Sequence, residues 1–183
     1  MRIVAGAWRG RVLVAPPGSA TRPTADRVRQ ALFDMLMHAE WGGRALIEGA
    51  VVLDVFAGTG ALGLEALSRG AASASFIESD ANALRALRAN VAACRAEDRT
   101  EILAHDVFRL GDARPASLVF LDPPYGQLLV PRAIAHLRAG GRIRPGALIV
   151  AETGRDETWV PEQPLLAERQ HGAARVLTFR LPP

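Results

Sequence analysis

The sequence contains no lysine, one cysteine, one tyrosine and few aromatic residues of any kind (5%). A single cysteine, Cys94, excludes an intramolecular disulfide and a cysteine-based zinc cluster. No apolar run approaches the ~18 residues that a membrane helix needs. Met1 to Val14 carry Arg2, Arg9 and Arg11, with no apolar stretch leading to a small-residue cleavage site. That pattern argues against a secretory signal and for a cytoplasmic enzyme. The four histidines, His38, His105, His136 and His171, show no ligand spacing; they read as structural or surface residues, and no metal is expected. What remains is a chain of 183 residues, 49% hydrophobic and 22% charged, which is the balance of a soluble globular protein with a real core.

All 22 basic residues are arginine, so a net charge of only +3 still gives a pI of about 10.3. With no lysine and one tyrosine, little titrates between histidine and arginine. The first 30 residues hold Arg2, Arg9, Arg11, Arg22, Arg27 and Arg29 against Asp26 alone, a net charge of +5. The rest of the chain carries 16 arginines against 18 acids, a net charge of −2. This N-terminal concentration suits either a solvated arginine-rich surface or a phosphate-binding patch, for which arginine offers bidentate contacts.

Ile3–Ala5 and Arg11–Ala15 read as short strands around a turn at Gly6–Gly10. Thr24 is the expected cap of a helix with Val28, Leu32, Met35 and Leu36 on one face and Asp26 in its first turn. From position 50, apolar strands alternate with helices. Strands are expected at Ala50–Val55, Ala74–Ile77, Glu101–Ala104, Leu118–Leu121 and Ala147–Ala151. Helices are expected at Ala61–Arg69, after an Asp80 cap, and at Pro131–Arg138. This is the pattern of an α/β fold with a mostly parallel sheet covered on both faces. Leu165–Arg169 and Arg175–Leu181 alternate around His171–Ala173 and predict an antiparallel hairpin at the sheet edge.

In such sheets ligands sit at the carboxyl ends of the strands. After the first strand comes Asp54-Val55-Phe56-Ala57-Gly58-Thr59-Gly60-Ala61-Leu62-Gly63. Gly58 and Gly60 would let the backbone approach a ligand, and Gly63 would let the helix pack near the sheet. Glu78 ends the second strand, 20 residues after Gly58, where a carboxylate can accept both hydroxyls of a ribose. That spacing suits a nicotinamide dinucleotide as well. Asp54, however, would repel a pyrophosphate and attract an ammonium and a sulfonium, which favours S-adenosylmethionine. Asp106, in His105-Asp106-Val107, is placed either to accept from the adenine amino group or to cap a short helix.

Asp122-Pro123-Pro124-Tyr125 follows the fourth strand and is the most specific signal in the chain. The prolines remove donors, so their neighbouring carbonyls can only accept. A carboxylate and a carbonyl side by side can hold both hydrogens of an exocyclic amino group, with its lone pair aimed at an electrophile. Tyr125 offers a face on which a planar base can stack. The motif serves adenine N6 as well as guanine N2.

These residues resemble the class I S-adenosylmethionine-dependent methyltransferases that modify exocyclic amino groups of nucleic-acid bases. Arg2-Ile3-Val4-Ala5-Gly6, Trp8-Arg9-Gly10-Arg11, Arg22 to Phe33 and Gly60 to Gly70 narrow the resemblance to the RsmD family, over essentially the whole chain. Ala7, Ala25 and Gln30 depart from residues common in that family, and the missing basic residue at position 7 weakens the patch. The resemblance implies a Rossmann-like, seven-stranded mixed sheet in residues 45–183, preceded by a hairpin-and-helix extension in residues 1–44. It implies a monomer acting on one guanine of 16S rRNA, position 966, within the small ribosomal subunit or an assembly intermediate. It implies a cofactor site of Asp54, Phe56, Ala57, Gly58, Thr59, Gly60, Glu78, Asp106 and Val107. Asp122, Pro123, Pro124 and Tyr125 would be catalytic, and Arg2, Trp8, Arg9, Arg11, Arg22 and Arg27 would meet the RNA. A DNA adenine methyltransferase, a protein or small-molecule methyltransferase, a non-catalytic nucleic-acid binder and a nicotinamide-dependent oxidoreductase are the competing readings.

Overall fold

The computed structural model describes residues 1–16, 23–109 and 114–183. The strands are β1 (Val51–Val55), β2 (Ser73–Ile77), β3 (Thr100–Leu103), β4 (Ala116–Leu121), β5 (Ile143–Gly154), β6 (Leu165–His171) and β7 (Ala174–Arg180). The helices are α1 (Pro23–His38), α2 (Ala61–Ser68), α3 (Ala81–Cys94) and α4 (Leu129–Ala139). Among the described residues the strands form one seven-stranded sheet in the order β3-β2-β1-β4-β5-β7-β6. Neighbours from β3 across to β5 run parallel, and β7 runs antiparallel to both β5 and β6. The expected mixed sheet with a closing hairpin is therefore present.

Both faces of the sheet are covered, which is why its strands read as continuous apolar runs. One core gathers Val52, Phe76, Phe120 and Val150 under α1, α2 and α3. There Phe33 of α1 meets Phe120 with ring centroids 5.6 Å apart. The other core gathers Leu53, Val119, Ile149 and Phe179 under α4. Cys94 is buried in the first. Asp80 caps α3 as expected, accepting from the Asn82 and Ala83 amides at 3.0 and 2.8 Å.

Three local expectations are corrected. Thr24 is not a cap: α1 already begins at Pro23, whose missing N–H has no consequence in a first turn. The N-terminal segments are not regular strands but an irregular arm with one antiparallel bridge, Arg2 to Val12. Single bonds from the Ile3 amide to Arg11 O (2.9 Å) and from the Leu13 amide to Met1 O (3.0 Å) complete it. β5 extends beyond Ala147–Ala151 to Ile143–Gly154, because its far end pairs with β7 through Thr153 and Gly154.

The arm is regularised by α2 instead of by itself. Glu65, in the middle of a short apolar helix, is fully buried, and its oxygens accept from the Val4 and Ala5 amides at 2.8 and 3.0 Å. Arg69 donates to it from Nε at 2.8 Å, and Arg29 Nε approaches it at 3.6 Å, an ion pair just beyond hydrogen-bonding reach. Ser68 Oγ donates to Ala5 O at 2.6 Å and accepts from the Trp8 amide at 3.0 Å. Gly6 lies so close to α2 that a Cβ there would sit 1.9 Å from Ser68 O. Ile3 and Leu13 thus join the same core as β1 and α2. Removing one partner of a buried ion pair strands the others, at a cost of roughly 3–5 kcal/mol. Glu65→Ala is accordingly expected to lower the unfolding free energy by about that amount in urea titrations; a loss below about 1 kcal/mol would contradict this reading of the network.

Candidate active site

The strand order reverses between β1 and β4, which lie side by side although β2 and β3 intervene in sequence. In parallel sheets this arrangement opens a crevice beyond the strand ends. Asp54 pairs in register with Phe120, and Val55 with Leu121, so the residues following β1 and β4 emerge together. Phe56 turns the chain out of β1 with φ of 61°, a left-handed conformation uncommon for a side chain of its size. Gly58 follows with φ of 55°, and a Cβ added there would meet open space. Gly63 packs against the sheet as expected: a Cβ would lie 2.4 Å from the Phe76 ring.

Glu78, at the end of β2, holds this loop. One oxygen accepts from the Gly58 amide at 2.8 Å, and the other from the Ser79 and Asp80 amides, both at 2.7 Å. Asp54 is buried beneath the loop and accepts from the Gly63 amide at 2.8 Å. Burial pushes its carboxyl up to about 8; the Gly63 bond opposes that shift, and the Asp122 and Glu78 charges add to it. Asp106 accepts from the Phe108 amide at 2.9 Å, so one of its oxygens organises the short helical turn Val107–Arg109. Val107 is buried beneath it.

A cleft of about 960 Å³ opens between α1, the Phe56–Leu62 loop, Asp122 and the β6–β7 turn. Asp54, Phe56, Ala57, Gly58, Thr59 and Asp122 line it together, whereas Glu78 and Asp106 stand outside its wall at the ends of β2 and β3. Val28, Leu32 and Met35 supply an apolar side. Crowding by protein atoms pushes Asp122 up to about 7, with the Glu152 charge adding to the shift. The carboxyl is nevertheless open to the cleft, where water moderates the burial contribution. Pro123 is buried, while Pro124 and Tyr125 are exposed. The Tyr125 hydroxyl donates to Glu152, and its acidity is suppressed first by partial burial of the hydroxyl and second by that bond.

Glu152 and Glu157 carry no motif and were not expected. Glu152 lines the cleft beside Asp122. Glu157 Oε1 accepts from the Gly126 amide at 2.7 Å and so fixes the backbone following Tyr125. His171 and Arg169 also stand at the cleft rim, and His171 is exposed there as expected of a surface residue. The basic N-terminal residues are not equivalent. Arg2, Arg9 and Arg27 are exposed, and Arg2 Nε lies 3.9 Å from Asp26. Arg11 donates to Ala93 O at the end of α3, and Arg99 stacks 5.2 Å over Trp8, so both groups help to dock the arm. Arg22 lies outside the described residues.

The sheet order, the glycine loop and the Asp-Pro-Pro-Tyr turn define a class I S-adenosylmethionine-dependent methyltransferase fold. A family model described as conserved hypothetical protein 95 matches residues 1–180. Ribosomal RNA small subunit methyltransferase D of Escherichia coli is 40% identical over 154 residues, 84% of this chain and 74% of that protein. The Haemophilus influenzae protein of the same name is 36% identical over 188 residues, covering 99% and 92%. The solved structure of yhhF from Escherichia coli superposes with a TM-score of 0.81 at 35% identity, covering 100% of this chain and 98% of that one. The chain belongs to the RsmD family of methyltransferases. S-adenosylmethionine is the expected cofactor, and the residues present fit it: an open backbone at Gly58 and buried acid at Asp54 suit a ligand that carries positive charge.

Asp54 generates a test. The folded chain holds its proton more tightly than the unfolded chain, so stability is lost as pH rises from its ordinary value of 3.8 towards about 8. Asp54→Asn keeps an acceptor for the Gly63 amide and removes that loss. The variant is expected to melt above the wild type at pH 8 without cofactor, with the gap closing towards pH 4 in scanning calorimetry. A gap independent of pH would contradict the assignment.

Proposed function

We propose that this protein transfers a methyl group from S-adenosylmethionine to N2 of one guanine in 16S rRNA of the small ribosomal subunit. The observation that carries the reading is the Asp122–Tyr125 turn at the mouth of the β1/β4 crevice, with the Glu152 carboxylate beside it. Support for rRNA comes from the names of the relatives. Support for guanine comes from chemistry. Guanine presents N1–H and the N2 amino group as adjacent donors, which suits two neighbouring carboxylates. Adenine presents a donor beside the N1 lone pair, which a second carboxylate would repel.

The sulfonium of the bound cofactor supplies an activated methyl group whose leaving group is a neutral thioether. The protein's contribution is placement. Gly58 and Thr59 shape the backbone cradle, Glu78 offers a ribose hydroxyl the one lone pair that its three backbone bonds leave free, on Oε2, and Asp106 is positioned for the adenine amino group. Asp54 faces the positively charged end of the ligand, which favours its ionised form. Asp122 and the Pro123 carbonyl hold the two N2 hydrogens, drawing the nitrogen out of conjugation and aiming its lone pair, and when N2 gains the methyl one of these hydrogens leaves as a proton to the Asp122 carboxylate. Tyr125, with its hydroxyl tied to Glu152, stacks on the base and offsets part of the few kcal/mol that unstacking costs, about 1–3 kcal/mol. Alignment of this kind supplies much of the rate. Exposed Arg2, Arg9 and Arg27 meet phosphate around the target.

The test is transfer of labelled methyl to undermethylated small subunits, naked 16S RNA and duplex DNA in parallel, with the products digested to nucleosides. Label in N2-methylguanosine from subunits is expected; label in N6-methyladenine from DNA would overturn the substrate while keeping the cofactor. Asp122→Asn and Tyr125→Ala are expected to abolish transfer with S-adenosylhomocysteine binding retained; loss of that binding would count against their roles. Glu152→Gln still accepts from Tyr125 but turns an amide donor towards guanine. Leaving that donor unmatched costs about 1–3 kcal/mol, so transfer should fall roughly five- to 150-fold. An unchanged rate would remove Glu152 from base recognition.

A further inference from the structure

Asn90 of α3 is completely buried, and every hydrogen-bonding position it uses points away from its own helix. Its Oδ1 accepts from the Val14 amide at 2.7 Å, and its Nδ2 donates to Val14 O at 2.9 Å. The side chain thus pairs with one residue of the arm as a neighbouring strand would. The same Nδ2 donates to Thr59 O at 2.9 Å, in the cradle between Gly58 and Gly60. The other leg of the arm reaches the same residue: Met1 Sδ lies 3.6 Å from Thr59 Oγ1, and Met1 O accepts from the Leu13 amide. A buried amide shared in this way is costly to leave half-satisfied, so the two segments it joins are held together or lost together. The loop has little slack on this side, since a Cβ at Gly60 would lie 2.4 Å from Leu87 of α3.

We infer that Asn90 is a positioning residue that makes the N-terminal arm and the cofactor cradle one cooperative unit. The inference rests on the reading of Gly58–Gly60 as the cofactor cradle. A ligand in the cradle stabilises the docked arm. By linkage, whatever holds the arm docked, including RNA gripped by its arginines, tightens cofactor binding by the same factor. Asn90 touches neither substrate nor cofactor in this account; it acts through Thr59.

Val14→Pro tests the coupling from the arm side. It removes the single N–H that Asn90 accepts, at a residue whose side chain is exposed, and leaves the cradle untouched. Binding of S-adenosylhomocysteine is measured by calorimetry for wild type, Val14→Pro, Asn90→Ala and the double variant. Amide hydrogen exchange of Ile3 and Leu13 is followed with and without that ligand. The expected result is about five-fold or more weaker binding in each single variant, at the low end of typical couplings. The double variant should be no weaker than Asn90→Ala alone, and ligand should slow exchange at Ile3 and Leu13 in the wild type only. A merely structural Asn90 would give no ligand-dependent protection of the arm. Unchanged affinity in a folded Val14→Pro, or protection confined to the cradle, would overturn the inference. Should Asn90→Ala fail to fold, the Val14→Pro affinity and the exchange data decide alone. A wild type that does not bind S-adenosylhomocysteine at all would overturn the cradle reading and the coupling with it. That outcome differs from a coupling failure, in which the wild type binds.

Discussion

Because β1 and β4 are neighbours in space and not in sequence, the chain must leave the sheet in opposite directions beyond their ends. The crevice that opens there is a consequence of topology, and the chemistry follows from which residues stand at its lips. Asp54 is the penultimate residue of β1, and Asp122 directly follows β4. Parallel pairing brings their backbones together, and on top of burial the Asp122 and Glu78 charges raise the cost of ionising Asp54 further. Glu152, on the next strand, does the same to Asp122. A partly dry crevice with this excess of acid stores a preference for positive charge and for hydrogen-bond donors. The proposed ligands, an S-adenosylmethionine sulfonium and a guanine amino edge, would complement it.

A second constraint comes from the N-terminal arm. α2 is short and buried nearly all round, and its polar residues Glu65 and Ser68 find their partners in backbone that arrives from about sixty residues earlier. The same arm then runs to Asn90 and so to the cradle. The most basic segment of the chain is therefore bound into the core that shapes the glycine loop after β1, instead of hanging beside it. Arg29 is buried in that docking, while Arg2, Arg9, Arg11 and Arg27 stay exposed, Arg11 while also donating to Ala93 O.

Much of this was legible in sequence, for physical reasons. Strands buried on both faces read as continuous apolar runs, so β1, β2, β4 and the core of β5 were located within a few residues. The glycine loop and the Asp-Pro-Pro-Tyr turn were legible because their conformations demand particular residue types. Partners brought together by long-range contact were not. Glu65 gave a signal that could have been used, a lone charge inside an otherwise apolar helix. Glu152 gave none, because a lone carboxylate just past the apolar run of β5 looks like ordinary surface. Asn90, three residues after Leu87 on the apolar face of its helix, stood out as polar, but its partners Val14 and Thr59 left no trace in the sequence. Thr24 was misread since a threonine after proline fits a cap, and only the helix itself shows that Pro23 already opens it.

The most direct measurement is a crystal structure of the protein with S-adenosylhomocysteine and guanosine bound together. The account predicts the guanine N2 within hydrogen-bonding distance of both the Asp122 carboxylate and the Pro123 carbonyl. The base should lie against Tyr125, N1–H should face Glu152, and the ligand's sulfur should point at N2. Guanosine bound elsewhere, or oriented with N2 away from Asp122, would contradict it.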